Sequence, residues 1–248
     1  MSSTSETGHA KNVANFQDLI SFCNGYGASY NPNKASITLA ALGTKQTDAI
    51  TALAAVNTNI PASTNAINQR EILFNPLNKL ITRVLNAVAA SDVSKQVIDD
   101  VKTIARKLQG KRATPKIPTI IDDPTTPANE SQKSISASQM SFDQRIQNMD
   151  KLIQLLTSLP GYKPNEPELS IAALTTLFNN MIAANTAAIN AYTPLSNARI
   201  ERNKILYNEI TGLVTVAANV KTYIKSLFGA TSPQYSQVNK LKFTKRVA

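Results

Sequence analysis

The chain has 248 residues, with 26 Lys and Arg against 16 Asp and Glu, a net charge of +10, one histidine and one cysteine. A single cysteine excludes an internal disulfide framework, and the absence of any run of about 18 uncharged apolar residues argues against a membrane-spanning helix. Hydrophobic residues make up 42%, enough for a core, yet Trp is absent and aromatics reach only 6%, which suits helices packed through small side chains.

In chain order, residues 1–11 are polar and unpatterned and read as a disordered tail. Met1–His9 shows no charged segment followed by an apolar one, so no secretory signal is expected and the default location is cytoplasmic. A first helix is predicted over about Val13–Asn24, with Phe16, Leu19, Ile20 and Cys23 on one face and Gly25 and Gly27 stopping it. Cys23 reads as a small buried hydrophobe. Asn31-Pro32 and, later, Lys163-Pro164 read as starts of a second helix, because proline fits a first helical turn. Tyr30 and Tyr162 precede those starts and are expected to pack their rings on the first helix with their hydroxyls at the surface.

From about residue 35 to 89 the chain keeps a helical beat through Ile50, Leu53, Asn57, Ile60, Thr64, Ile67, Glu71, Phe74, Asn78, Ile81, Leu85 and Val88. Pro61 and Pro76 interrupt it, as Pro194 interrupts the later counterpart. Proline costs roughly 3 kcal/mol inside a helix. Two readings survive, a long helix bent at its prolines or two helices split near residue 60; the lack of a glycine or polar turn at 57–62 favours the first. Ser91-Asp92 reads as the cap of a helix over about 92–109, ended by Gly110. Residues 113–140 hold four of the twelve prolines with many Ser and Thr and read as a linker. Ser141-Phe142-Asp143-Gln144 then forms a capping box that opens another helix. Glu166 and Glu168 are expected in a helical first turn, where negative charge meets the positive end of the dipole. In the stretch Ile210–Phe228, Leu213, Val216, Val220, Tyr223, Ile224 and Leu227 are expected to face a core rather than a membrane surface. Near the C-terminus, Thr231-x-x-Gln234 with Pro233 carries a capping signature.

These elements occur twice. Tyr30-Asn31-Pro32-Asn33 recurs as Tyr162-Lys163-Pro164-Asn165, and Ile37, Leu39, Ala40, Ala41 and Leu42 fall in step on Leu169, Ile171, Ala172, Ala173 and Leu174. With one residue of slippage, Leu19–Cys23 pairs with Leu152–Leu156, and Ile72-Leu73-Phe74-Asn75 with Ile205-Leu206-Tyr207-Asn208. A period of about 130 residues is too long for a solenoid unit. The expected fold is all-α: a 12–112 repeat and a 141–248 repeat, homologous and forming an elongated pseudo-twofold bundle with long, proline-kinked helices. The end of the first repeat has two competing alignments. Ala90-Ser91 on Ala230-Thr231 is preferred to Val101-Lys102-Thr103 on Val220-Lys221-Thr222.

The segments Tyr30–Asn33, Ile135–Arg145, Asn197–Arg199 and Leu213–Tyr235 resemble an internally duplicated helical protein family of Bacteroidota bacteria, over nearly the whole chain. The resemblance implies a lineage and brings no activity, cofactor or catalytic residue.

Catalytic signatures are missing. His9, the one histidine, falls in the expected tail, which argues against triads and histidine metal sites. No Cys cluster, GxxxxGK[ST] or GxGxxG occurs. Asp99-Asp100 and Asp122-Asp123 read as solvated chain rather than metal ligands. No catalytic residue, cofactor or metal is therefore expected, and the chain reads as non-enzymatic. The basic excess divides evenly: residues 1–112 carry 12 basic and 7 acidic side chains, and residues 141–248 carry 12 and 6. Arg106, Lys107, Lys111, Arg112 and Lys116 cluster at the end of the first repeat, and Lys240, Lys242, Lys245 and Arg246 at the end of the second. They are candidate polyanion-binding residues, although no nucleic-acid motif or interleaved aromatic accompanies them. Two functions are expected: a structural, self-associating scaffold or, as the alternative, a nucleic-acid- or ribosome-binding protein.

Overall fold

The structure is a computed structural model that describes residues 8–111 and 140–245. Among these the chain is all-helical, with eight α-helices and no strand: α1 (His9–Gly25), α2 (Leu39–Phe74), α3 (Leu77–Ala89), α4 (Lys95–Gln109), α5 (Phe142–Thr157), α6 (Ile171–Tyr207), α7 (Leu213–Phe228) and α8 (Pro233–Asn239). No helix is long and apolar enough to cross a membrane among the described residues. The expected linker lies outside the described residues except for Met140, as does most of the expected N-terminal tail.

Several boundaries differ from the sequence reading for identifiable reasons. Helix α1 begins at His9 rather than near Val13, because Asn12, Val13 and Asn15 are buried and hold the first turn in place. Pro32 and Pro164 do not open helices. Each leads into a short 3₁₀ turn (Ala35–Ile37 and Pro167–Leu169), and the long helices start at Leu39 and Ile171. Thr38 and Ser170 then accept the amides of Ala41 and Ala173, the pattern of an N-terminal cap. Helix α2 runs through Pro61 without a break and α6 through Pro194, so the continuous reading holds at residue 60. The break falls instead at Asn75-Pro76, before α3. Around Pro61, Thr58 and Asn59 donate back to the carbonyls of Ala54 and Ala55, holding that turn by side-chain bonds. The cap of α4 is Ser94 rather than Ser91-Asp92, and that of α8 is Ser232 rather than Thr231. Ser141 caps α5 through Gln144 N as expected, and Gly110 ends α4 in the left-handed region at φ 68°.

The chain packs as two compact units. The first comprises residues 1–64 with 190–248, and the second residues 65–189. These do not follow the two sequence repeats, because the chain passes from one unit to the other within α2 and again within α6. In the first unit, Phe16, Leu19 and Cys23 of α1 pack with Leu42 and Ala49 of α2 and with Leu213, Ala217, Val220 and Ile224 of α7. In the second, Ile81, Val84 and Val88 of α3, Val101, Ala105 and Leu108 of α4, and Met149, Leu152 and Leu156 of α5 close around Leu174 and Met181 of α6. Leu213, Val216, Val220 and Ile224 reach the core as expected, but Leu227 is exposed.

Candidate functional site

The sequence-predicted residues divide between the units. Lys107 and Lys111 are exposed at the end of α4 in the second unit, where Arg106 is half-buried and donates to Thr103. Lys240 is exposed at the C-terminal cap of α8, and Lys242 and Lys245 are exposed in the segment after it, in the first unit. Arg112, Lys116 and Arg246 lie outside the described residues. Among the described residues no group of three His, Cys, Asp or Glu side chains is placed to hold a metal. Asp99 and Asp100 are exposed, and Glu168 pairs with Arg83 at 2.6 Å from a 3₁₀ turn rather than facing a helix dipole.

Both conspicuous tyrosines differ from their expected role. Tyr30 and Tyr162 are buried, and their hydroxyls donate to the carbonyls of Ile37 and Leu169 at 2.7 and 2.8 Å. Each bond closes the loop ahead of a long helix and satisfies a carbonyl that the 3₁₀ turn leaves open. Burial pushes both phenols up, Tyr162 to about 12, and lifts the Cys23 thiol beside Tyr30 to about 11. Cys23 is buried in the core, as expected of a small hydrophobe at that position. His9 is not in a tail: its Nδ1 lies 2.7 Å from the Tyr207 hydroxyl.

The sequence reading missed two buried polar constellations. In the first unit, the Asn12 amide grips the backbone of Thr244 from both sides, donating to its carbonyl at 2.9 Å and accepting from its N–H at 3.0 Å. Asn15 donates to the Lys242 carbonyl at 2.6 Å, and Lys221 donates to the Leu241 carbonyl while sitting 5.1 Å from the Phe243 ring. Burial and then neighbouring Lys242 push the Lys221 ammonium down.

In the second unit, the first turn of α5 meets the end of α2. Arg145 is a buried residue, and its guanidinium donates from Nη2 to Phe74 O and Asn78 Oδ1 at 3.3 and 3.2 Å. Arg70 lies 3.8 Å over the Phe142 ring and donates to Asn185 Oδ1, whose Nδ2 donates in turn to Asp143. The rings of Phe74 and Phe142 meet edge to face at 4.9 Å. Neither guanidinium forms an ion pair among the described residues, and both Nε atoms are buried without a partner.

Two concavities open beside this constellation. A cleft of about 690 Å³ is lined by Asn68, Glu71, Ile72, Asn75, Asn78 and Arg145, with the two phenylalanine rings. A groove of about 600 Å³ between α5 and α6 is lined by Ile146, Phe178, Ile182 and Ile189, with Asp143 and Asp150 among its polar residues. Ile182 and Ile189 are seven residues apart on α6, hence on one face, and are 41% and 53% exposed. The signal for Asn12, Asn15, Arg145 and Asn148 was present in sequence: each is a polar residue on the apolar stripe of its helix. No family model, no curated protein and no solved structure matches the chain.

Proposed function

We propose that this is an internally duplicated, non-enzymatic helical scaffold that acts by self-association, with the α5–α6 groove of the second unit receiving another copy of the chain. The observation that carries this is the pair of exposed isoleucines in that groove, flanked by Ile146 and Phe178. Exposed apolar side chains gathered in one groove cost solvation, which supports an interaction site there. Asp143 and Asp150 place negative charge in the groove, whereas the chain as a whole carries +10. A second copy therefore offers charge complementarity as well as apolar cover. The duplication is supported by the matched tyrosine bonds, each spanning seven residues, and by the 36- and 37-residue helices that follow them.

Sedimentation equilibrium tests the proposal. The wild type is expected at a multiple of 26.8 kDa and the Ile182→Asp/Ile189→Asp double variant at 26.8 kDa, with unchanged far-UV circular dichroism. Equal masses for the two proteins refute it. A second reading, polyanion binding, is favoured by one observation: Lys107, Lys111, Lys240, Lys242 and Lys245 are exposed and form no ion pair among the described residues. On that reading, charge reversal at Lys107, Lys111 and Arg112 abolishes binding to nucleic acid and leaves the mass unchanged.

A further inference from the structure

We infer that the cleft at the α2–α3 junction of the second unit binds a small carboxylate-bearing molecule with an apolar or aromatic body. This does not depend on the self-association reading, because the cleft and the α5–α6 groove have separate linings apart from their shared origin on α5.

The sequence places the cleft's polar groups by helical spacing. Asn68, Glu71, Ile72 and Asn75 stand at positions i, i+3, i+4 and i+7 of the last turns of α2 and the residue after it, and so share one face. Asn78 opens the first turn of α3, and Phe142 and Arg145 lie three residues apart in the first turn of α5. Pro76 is the reason these three helix ends meet, since it ends α2 and turns the chain into α3.

Arg145 gives the cleft its charge. Its Nη2 bonds are structural: one satisfies the Phe74 carbonyl at the open end of α2. Nη1 has no protein partner among the described residues. Burial lowers the pKa of the group, the expected consequence of desolvating a cation that no carboxylate compensates. A guanidinium whose Nε is buried without a partner and which forms no ion pair among the described residues is costly, and an oxyanion at Nη1 would supply the missing charge through a short, charge-assisted bond. Asn78 commits its Oδ1 to Arg145, which leaves its Nδ2 as a donor on the same wall. The side chains of Asn68 and Asn75 add two further amides.

Charge and shape narrow the ligand. Glu71 stands on the same wall, so the local balance suits a monoanion better than a phosphate dianion. Phe74, Phe142 and Ile72 give an apolar surface beside the charged end of this open cleft. An aromatic or branched aliphatic carboxylate satisfies all of these features.

Isothermal titration of the full chain with sodium benzoate, and separately with inorganic phosphate, tests the assignment. Saturable benzoate binding is expected, with phosphate weaker. Asn75→Asp, an exposed position, sets a carboxylate in the cleft and should weaken benzoate at least tenfold without touching the Arg145 bonds. Glu71→Gln should tighten benzoate several-fold. Arg145→Gln should abolish it; should that variant fail to fold, the Asn75 and Glu71 variants decide alone. Absent benzoate binding, binding indifferent to both variants, or phosphate equal to benzoate would each overturn the inference.

Discussion

The two units cover their α1- and α5-bearing cores in different ways. In the second unit the second half of α4 lies against α5, burying Ala105 and Leu108 while its helical backbone satisfies its own hydrogen bonds. In the first, α8 has only seven residues, and residues 241–245 beyond it, in neither helix nor strand, bond to α1, with Leu241 and Phe243 half-buried. A segment outside regular secondary structure leaves most of its backbone groups for side chains to satisfy. Asn12 and Asn15 do so from α1. In the sequence register that sets Leu19 on Leu152, Asn12 and Asn15 fall on Arg145 and Asn148 of α5. The helical cover makes no demand on Arg145, which turns to the end of α2 and the open cleft instead. A polar pair spent on closing one unit thus leaves a charged group available in the other.

The largest effect that would sharpen this contrast is Leu108→Ala. Leu108 is fully buried, so the substitution should lower stability by about 2–5 kcal/mol in urea unfolding. Leu241→Ala, at a half-buried position in the segment after α8, should cost markedly less; equal losses would erase the distinction between the two covers.

Alkaline pH should separate the units next. Cys23 and Tyr30 in the first unit and Tyr162 in the second all have folded pKa values raised by burial. Their neutral forms are favoured by folding, so their contribution is complete at lower pH and is lost as pH rises past the unfolded values. For Cys23 the loss runs from about pH 9 to about 11, and for Tyr162 from about 10 to about 12, with a limiting slope of about 1.4 kcal/mol per pH unit per group. Methyl NMR should show Ile20 responding before Ile153, and Cys23→Ala should delay the onset in the first unit. Simultaneous onset, unchanged by Cys23→Ala, would contradict this.

Asn12→Ala should cost about 1–3 kcal/mol, because it strands the N–H and carbonyl of Thr244. Amide exchange at residues 242–244 should accelerate while α4 keeps its protection; uniform acceleration would mean that the clamp is not local. Smallest is loss of the serine caps, about 1 kcal/mol each for Ser94→Ala and Ser232→Ala. The loosening from Ser232→Ala should spread through α8, which has two turns, whereas α4 should fray only at its start.

Much of the helical framework was legible because it rests on local chemistry. Ser141 capping α5, Gly110 ending α4 and the stripe of Phe16, Leu19 and Cys23 all follow from residue type and spacing. Continuity through Pro61 was the favoured of two readings, since no turn residues occur at 57–62, but that reading also carried the helix through Pro76, where the chain breaks. What stayed hidden depends on residues far apart in sequence. Nothing near Tyr30 marks its hydroxyl for the Ile37 carbonyl rather than for water, and Asn12 finds Thr244 only when the chain folds back over α1. The cleft required residues 68–78 to meet Phe142 and Arg145, a juxtaposition no spacing rule supplies. The basic clusters were readable as charge, but their charge alone names no partner.

The most direct test of self-association is the absorbance ratio at 260 and 280 nm across a light-scattering size-exclusion peak of the untagged chain, at low and high salt. With seven Tyr and no Trp the protein absorbs weakly at 280 nm, so bound nucleic acid would dominate the signal. The expected result is a low ratio at both salt concentrations and a mass at a defined multiple of 26.8 kDa. A high ratio that collapses with salt, leaving a monomer, would contradict the account and assign the function to the lysine clusters.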